Sequence, residues 1–218
     1  MNISLRPLVI LLALAVFAIP GLANDFSFIG TFAHDNEIAL FNFNIFSAST
    51  VTLQTWSYGG GFNQRGELID AGGFEPALQI YDKLSGASYG SLFVPGVDSS
   101  CGPNNSDGGR LDACLDIYTQ IFLPAGYYWV VLLQSPNAPA GTGNLSEGFQ
   151  YDTDPEFNNN FFGAITLTQG RSDWELDILG VDDATLSPEP SSAALFAAAA
   201  FLFVLGARRL RPRIGSRS

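Results

Sequence analysis

The sequence Phe41-Asn42-Phe43-Asn44-Ile45 alternates apolar and polar side chains over five consecutive positions. Because side chains of a β-strand point alternately to opposite faces, this pattern predicts a strand with one buried and one polar face. Similar period-two alternation recurs at 51–56, 78–81, 116–123 and 173–178. No stretch from Asp25 to Val181 has sustained helical periodicity. The central part of the chain is therefore predicted to be all-β.

Turn-forming sequences separate these runs, and glycine, asparagine or proline dominates each of them. They are Gly59-Gly60-Gly61, Gly72-Gly73, Pro103-Asn104-Asn105, Pro124-Ala125-Gly126 and the segment 136–143. Residues 127–133 are apolar at every position, as expected of a central strand covered on both faces. About eight or nine short antiparallel strands, with one solvated face each, predict a β-sandwich or jelly roll over residues 24–187.

The charge distribution excludes several classes of function. The 218-residue chain has a net charge of −11, and residues 24–187 hold four basic against 20 acidic side chains, a net charge of −16. Such a body repels phosphate backbones, so we expect no nucleic-acid binding. One histidine, His34, and two cysteines exclude most histidine-based catalysis and zinc sites of Cys/His type. With no serine in a nucleophile-elbow context, the chain is predicted not to be an enzyme.

The first 23 residues are typical of a secretory signal peptide, which would form a signal helix in the precursor. Arg6 provides the positive charge, residues 8–19 are 12 apolar positions, and Pro20 ends the helix. Gly21 and Ala23 place small residues before a cleavage site at Asn24. Twelve apolar residues are too few to cross a bilayer, which needs about 20. We therefore expect export through the Sec machinery and removal of residues 1–23.

The C-terminal segment, residues 188–218, has three parts. Pro188-Glu189-Pro190 comes first, an uncharged apolar helix is predicted over about 191–207, and a basic tail follows at 208–218. The tail begins with Arg208 and Arg209, and the positive-inside rule holds such a cluster in the cytoplasm. The apolar helix is short for a transmembrane span. The alternative interpretation of the segment is a plain C-terminal membrane anchor.

This tripartite segment resembles the PEP-CTERM sorting signal of Gram-negative bacteria. The resemblance implies that an exosortase, an integral-membrane cysteine protease, recognises the segment and cuts near Pro188-Glu189-Pro190. It also implies an inner-membrane precursor with transient anchoring and a mature protein at the cell surface or outside it, associated with extracellular polysaccharide and biofilm.

The body also carries motifs of known families. Three segments are similar to strand motifs of the bacterial pre-peptidase C-terminal domain, a jelly-roll module. They are Phe41-Asn42-Phe43, Pro76-Ala77-Leu78-Gln79-Ile80-Tyr81-Asp82 and Leu123-Pro124-Ala125-Gly126-Tyr127-Tyr128. Four further segments resemble a family of PEP-CTERM proteins marked by a Gly-Gly-Phe-Asp-Pro motif. They are Thr55-Trp56-Ser57-Tyr58, Gly72-Gly73-Phe74-Glu75-Pro76, the segment 144–149 and the Trp174 strand. Glu75 stands here in place of the motif's Asp. That family implies no particular activity.

Cys101 and Cys114 flank a loop rich in Gly, Asn and Asp. In an exported protein the simplest expectation is one disulfide, which would stabilise the fold by about 3 kcal/mol in the chain-entropy model. A reactive thiol pair and two unpaired thiols are the alternatives.

Two groups of carboxylates could provide the hard oxygen ligands that calcium prefers. The first is Asp152, Asp154 and Glu156, at alternate positions of one loop, and the second is Asp98, Asp107 and Asp112. The alternative is that these acidic loops only keep the domain soluble. No other cofactor is expected.

Three aromatic residues, Trp56, Tyr58 and Tyr118, alternate with aliphatic positions and could stack on sugar rings from an exposed strand face. The alternative is that they pack beneath loops. The preferred hypothesis is therefore a non-catalytic exported surface or matrix protein, and the second is a carbohydrate-binding module with aromatic and possible calcium-dependent contacts.

Overall fold

A computed structural model describes residues 24–90, 93, 115–163 and 167–187. Within them the fold consists of antiparallel strands, joined by turns and one short 3-10 turn at Leu145–Glu147. The strands are β1 Asn24–Thr31, β2 Ile38–Ile45, β3 Ser49–Thr55, β4 Gly61–Phe62, β5 Leu68–Ile69, β6 Pro76–Asp82, β7 Tyr118–Leu123, β8 Gly126–Gln134, β9 Asp173–Val181 and β10 Asp183–Leu186. No helix in these ranges is long and apolar enough to cross a membrane. The two helices predicted at the chain ends lie outside them.

Two four-stranded sheets form a sandwich. Sheet A has the order β1-β9-β3-β7, and sheet B has the order β10-β2-β8-β6, while β4 and β5 pair as a small hairpin. The first β-strand predicted from the sequence is confirmed as β2, and Phe41, Phe43 and Ile45 are its buried face. Strand β8 lies between β2 and β6, as its uniformly apolar sequence predicts.

The core lies between the two sheets. Sheet A contributes Val51, Leu53, Leu176 and Ile178 to one cluster of buried side chains that also holds the inward residues of sheet B. Phe41 meets Trp174 edge to face across this core, with ring centroids 5.7 Å apart. Burial of this continuous apolar layer is the main force that holds the sheets together.

The outer faces of both sheets differ from the expectation of one solvated face per strand. On sheet B, Tyr81, Val131, Leu133 and Phe149 form a second buried cluster, because the chain after β8 folds back over that face. On sheet A, Gln54, Glu175 and Asp177 are buried beneath the segment 56–71, which contains the β4–β5 hairpin. Those outer faces are buried because loops cover them, which strand periodicity cannot reveal.

Candidate functional site

Three carboxylates that the sequence pattern places in solvent are instead enclosed by the fold. We call Asp116, Glu175 and Asp177 the acidic cluster. Since Trp174, Leu176 and Ile178 face the core, the alternation of β9 directs Glu175 and Asp177 to the outer face of sheet A. The exposed fractions of the three side chains are 0–1%. Such burial is costly for ionised groups unless donors compensate it.

Asp177 has a complete set of donors. The indole N–H of Trp56 donates to its Oδ2 over 2.9 Å, and the backbone N–H of Gln64 donates to the same oxygen over 3.1 Å. The hydroxyl of Ser27 on the neighbouring strand β1 donates to Oδ1. These donors occupy both oxygens of the carboxylate, and those from Trp56 and Gln64 also attach the segment 56–71 to the sheet.

Asp116, directly before β7, organises the chain that leaves β3. Its Oδ1 accepts from the Thr55 hydroxyl over 3.0 Å and from the Tyr58 N–H over 3.1 Å. Its Oδ2 accepts from the Gly59 N–H over 2.6 Å. Burial raises the pKa of Asp116 to about 6, and the N–H donors of Gly59 and Tyr58 oppose that rise. The carboxylate therefore fixes the turn that begins the covering segment.

Glu175 has no such donors. Neither of its carboxyl oxygens accepts a well-formed hydrogen bond within the described residues, and only Asn63 lies near enough to lower its pKa. Burial, followed by the charge of Asp177, raises the pKa of Glu175 to about 11. Glu175 is accordingly neutral at ordinary pH and holds its proton beside the side chain of Asp177. Because this pair is enclosed, the proton on Glu175 is best explained as stabilising the fold.

Another buried carboxylate, Asp35, fixes the loop that contains Asn158 and Asn160. Its Oδ2 accepts the backbone N–H groups of Asn158 and Asn160 over 2.9 and 3.1 Å. Residues 159–161 all adopt positive φ, a conformation that asparagine tolerates better than most residues. The third of them, Phe161, is buried against Phe74. His34 beside Asp35 is exposed in a turn.

The predicted aromatic platform of Trp56, Tyr58 and Tyr118 does not form as an exposed surface. Trp56 is only 1% exposed and its indole N–H is occupied by Asp177, so it has no ring face for a sugar. Tyr58 and Tyr118 are half-buried. For Trp56 the packing alternative is correct, since the segment 56–71 encloses it. Glu75 of the Gly-Gly-Phe-Glu-Pro motif is likewise fully buried.

The three proposed calcium ligands in the loop at 152–156 are exposed and partly occupied by their own backbone. Asp152 accepts the Phe149 N–H over 2.9 Å, and Asp154 accepts the Glu156 N–H over 3.4 Å. Among the described residues no three His, Cys, Asp or Glu side chains are grouped so that they could hold a metal ion. Asp152, Asp154 and Glu156 are therefore not brought together by the fold.

Several predicted features lie outside the described residues. They are the signal peptide 1–23, Cys101 and Cys114, the second acidic group Asp98, Asp107 and Asp112, and the sorting segment 188–218 with Pro188, Glu189, Pro190, Arg208 and Arg209.

An open polar face on sheet B is not predicted from the sequence. We call it the amide–aromatic face, and it consists of Asn42, Asn44, Lys83, Tyr127, Trp129, Asp183 and Thr185. The alternation of β2 does place both asparagines outside. The uniformly apolar sequence of residues 127–133 predicts a strand covered on both faces, whereas Tyr127 is 52% exposed.

No protein-family model matches the chain, and no curated protein has a matching sequence.

Proposed function

We propose that the chain is an exported, non-catalytic protein of the cell surface or extracellular matrix. Its body is a jelly-roll sandwich, and an exosortase sorts the precursor. The observation that carries the proposal is the C-terminal sequence, in which Pro188-Glu189-Pro190, an apolar segment and an arginine cluster follow one another in that order. With the signal-like residues 1–23, this order is typical of a precursor held briefly in the inner membrane of a Gram-negative bacterium.

The chemistry of the described residues supports a structural protein. Asp116 and Asp177 use their oxygens to accept donors from the segment that covers them, and Glu175 is enclosed with them. Carboxylates used in general acid–base catalysis must reach a substrate, and these are sealed from it. The acidic cluster is therefore best understood as the attachment of the covering segment to sheet A.

The strongly negative body supports display outside the cell. A net charge of −16 over residues 24–187 favours solubility and opposes contact with anionic surfaces. The proposed setting is an exopolysaccharide matrix or biofilm. A carbohydrate-binding module is the second candidate, and the amide–aromatic face of sheet B is the observation that favours it.

The test of this proposal is the mass of the mature protein. The full chain is expressed in a Gram-negative strain that has an exosortase and in the same strain without it. We expect secreted protein from the first strain, starting at Asn24 and ending near 188–192, and an uncut membrane precursor from the second.

Replacement of Glu189 by Ala should cause the precursor to accumulate in the first strain. Replacement of Glu156 by Ala, an exposed glutamate of the sandwich, is the matched control and should leave processing unchanged. Secreted protein that retains Arg208 and Arg209 would exclude sorting by this route.

A further inference from the structure

The amide–aromatic face presents two parallel rows of side chains across strands β10, β2 and β8. Asp183, Asn44 and Tyr127 are paired in the first row. Thr185, Asn42 and Trp129 are paired in the second. Directly opposed side chains lie about 5 Å apart, and the two rows lie about 7 Å apart along the strands. The face thus places amide, hydroxyl and carboxyl groups beside two aromatic rings.

Packing orients the two aromatic rings differently. The indole N–H of half-buried Trp129 donates to Oδ1 of Asn42, which holds the ring on the sheet. Tyr127 extends further into solvent at the edge of the face. Two neighbouring rings of this kind offer an apolar surface with a polar rim, which suits a ligand that has both C–H faces and hydroxyl groups.

Apart from Asn42, the polar groups beside the rings lack partners in the described part of the chain. The side chains of Asn44, Lys83, Asp183 and Thr185 make no hydrogen bond or ion pair there, and Oδ1 of Asn44 is buried without a partner. A groove of about 260 Å³ lies among these four residues and Tyr127. Convergent, unpaired polar groups beside an aromatic ring are the usual composition of a site for a small polar ligand.

The charge of the face selects the class of ligand. Lys83 and Asp183 contribute one charge of each sign, so the groove itself has no net charge. The surrounding body is strongly negative, which disfavours a polyanion and also a second copy of the same chain. A chain of hydroxyl-bearing rings that carries no charge is not repelled by the negative body.

We propose that the amide–aromatic face binds a neutral polysaccharide, with Tyr127 and Trp129 as stacking rings and Asn44, Lys83, Asp183 and Thr185 as hydroxyl partners. The inference deepens the proposed matrix function, and it rests on that function for the setting in which the protein meets the glycan. It replaces Trp56 with Trp129 as the tryptophan that contacts sugar.

The chain offers a built-in probe of this site. Of its three tryptophans, Trp56 is 1% and Trp174 is 5% exposed, so Trp129 is the one that a ligand on the surface can reach. The purified full chain, in a detergent without sugar groups, is titrated with hexasaccharides of β-1,4-glucan, β-1,3-glucan and β-1,4-mannan, and with an alginate hexasaccharide as the anionic probe. Tryptophan emission and calorimetry give the Kd.

We expect saturable binding of at least one neutral hexasaccharide and no binding of the alginate. Tyr127→Ala should raise the Kd about tenfold, the factor that one lost aromatic contact of about 1.4 kcal/mol represents. Tyr127→Phe should retain most of the affinity, because the ring remains. Phe122→Ala removes a ring that is 68% exposed on sheet A, and it should leave the Kd unchanged.

Three results would overturn the proposal. These are no binding of any neutral hexasaccharide, a Kd that Tyr127→Ala leaves unchanged, and binding of alginate alone. Concentration-dependent dimerisation that Tyr127→Ala abolishes, without glycan binding, would assign the face to a second copy instead. None of these results affects the mass of the processed chain, so failure here is distinct from failure of the sorting proposal.

Discussion

Replacement of Glu175 by Gln should stabilise the protein increasingly as the pH rises. The native state holds a proton on Glu175, because burial and Asp177 raise the pKa of this residue to about 11 from its ordinary value of 4.5. The unfolded chain releases that proton once the pH exceeds about 4.5. The unfolded state is therefore stabilised relative to the native state as the pH rises, and wild-type stability is lost between these two values.

The magnitude follows from proton linkage. One proton released on unfolding lowers the free energy of unfolding by about 1.4 kcal/mol per pH unit. From about pH 6.5 to 8.5, above the pKa of about 6 of Asp116, the wild type should lose about 2.7 kcal/mol through Glu175. Glutamine has nearly the same shape, carries no charge and can donate to Asp177, so the variant avoids this loss.

The assay is urea denaturation at several pH values, followed by the fluorescence of the buried Trp56 and Trp174. Glu156→Gln, at an exposed position, is the control and should track the wild type. The advantage of Glu175→Gln over the wild type should grow with pH. A constant difference would show that Glu175 is ionised in the native protein, and the assignment of its proton would be wrong.

Three further predictions concern other parts of the fold. Asp35→Ala removes the acceptor for the N–H groups of Asn158 and Asn160, so thermal or urea unfolding should show a loss of about 2 kcal/mol, and an unchanged stability would remove Asp35 from the loop's support. Gly30→Ala should cost about 1–3 kcal/mol by the same measurement, because the new Cβ would lie 2.2 Å from the buried Trp174 ring; wild-type stability would mean that the ring can move aside. Thiol titration of the denatured, unreduced protein should detect no free thiol from Cys101 and Cys114, and two thiols would exclude the disulfide.

The sequence predicts the inner faces of the sheets well and their outer faces poorly. Phe41, Phe43 and Ile45 repeat every second position, and any residue on the same side of β2 must enter the core. The same rule places Glu175 and Asp177 outside the core, which is correct. It fails to predict their burial, because the segment that covers them lies more than a hundred residues earlier in the chain.

The aromatic residues illustrate the same limit. Trp56 and Trp129 both lie on outward positions of strands or their extensions, and local pattern cannot distinguish them. Their environments differ because the chain after Trp56 turns back over sheet A, where Asp116 holds Gly59 and Asp177 holds Gln64.

The two outer faces therefore have different uses in the same sandwich. On sheet A, polar groups are paired with the covering segment, and removal of that segment would expose carboxyl groups that now accept hydrogen bonds. On sheet B, the rows at the β10 side carry unpaired amide and hydroxyl groups beside an exposed ring. A ligand can replace water on the second face without breaking any protein hydrogen bond except the one between Trp129 and Asn42. Binding on the first face would require the loss of several, so recognition is favoured on sheet B and structural support on sheet A.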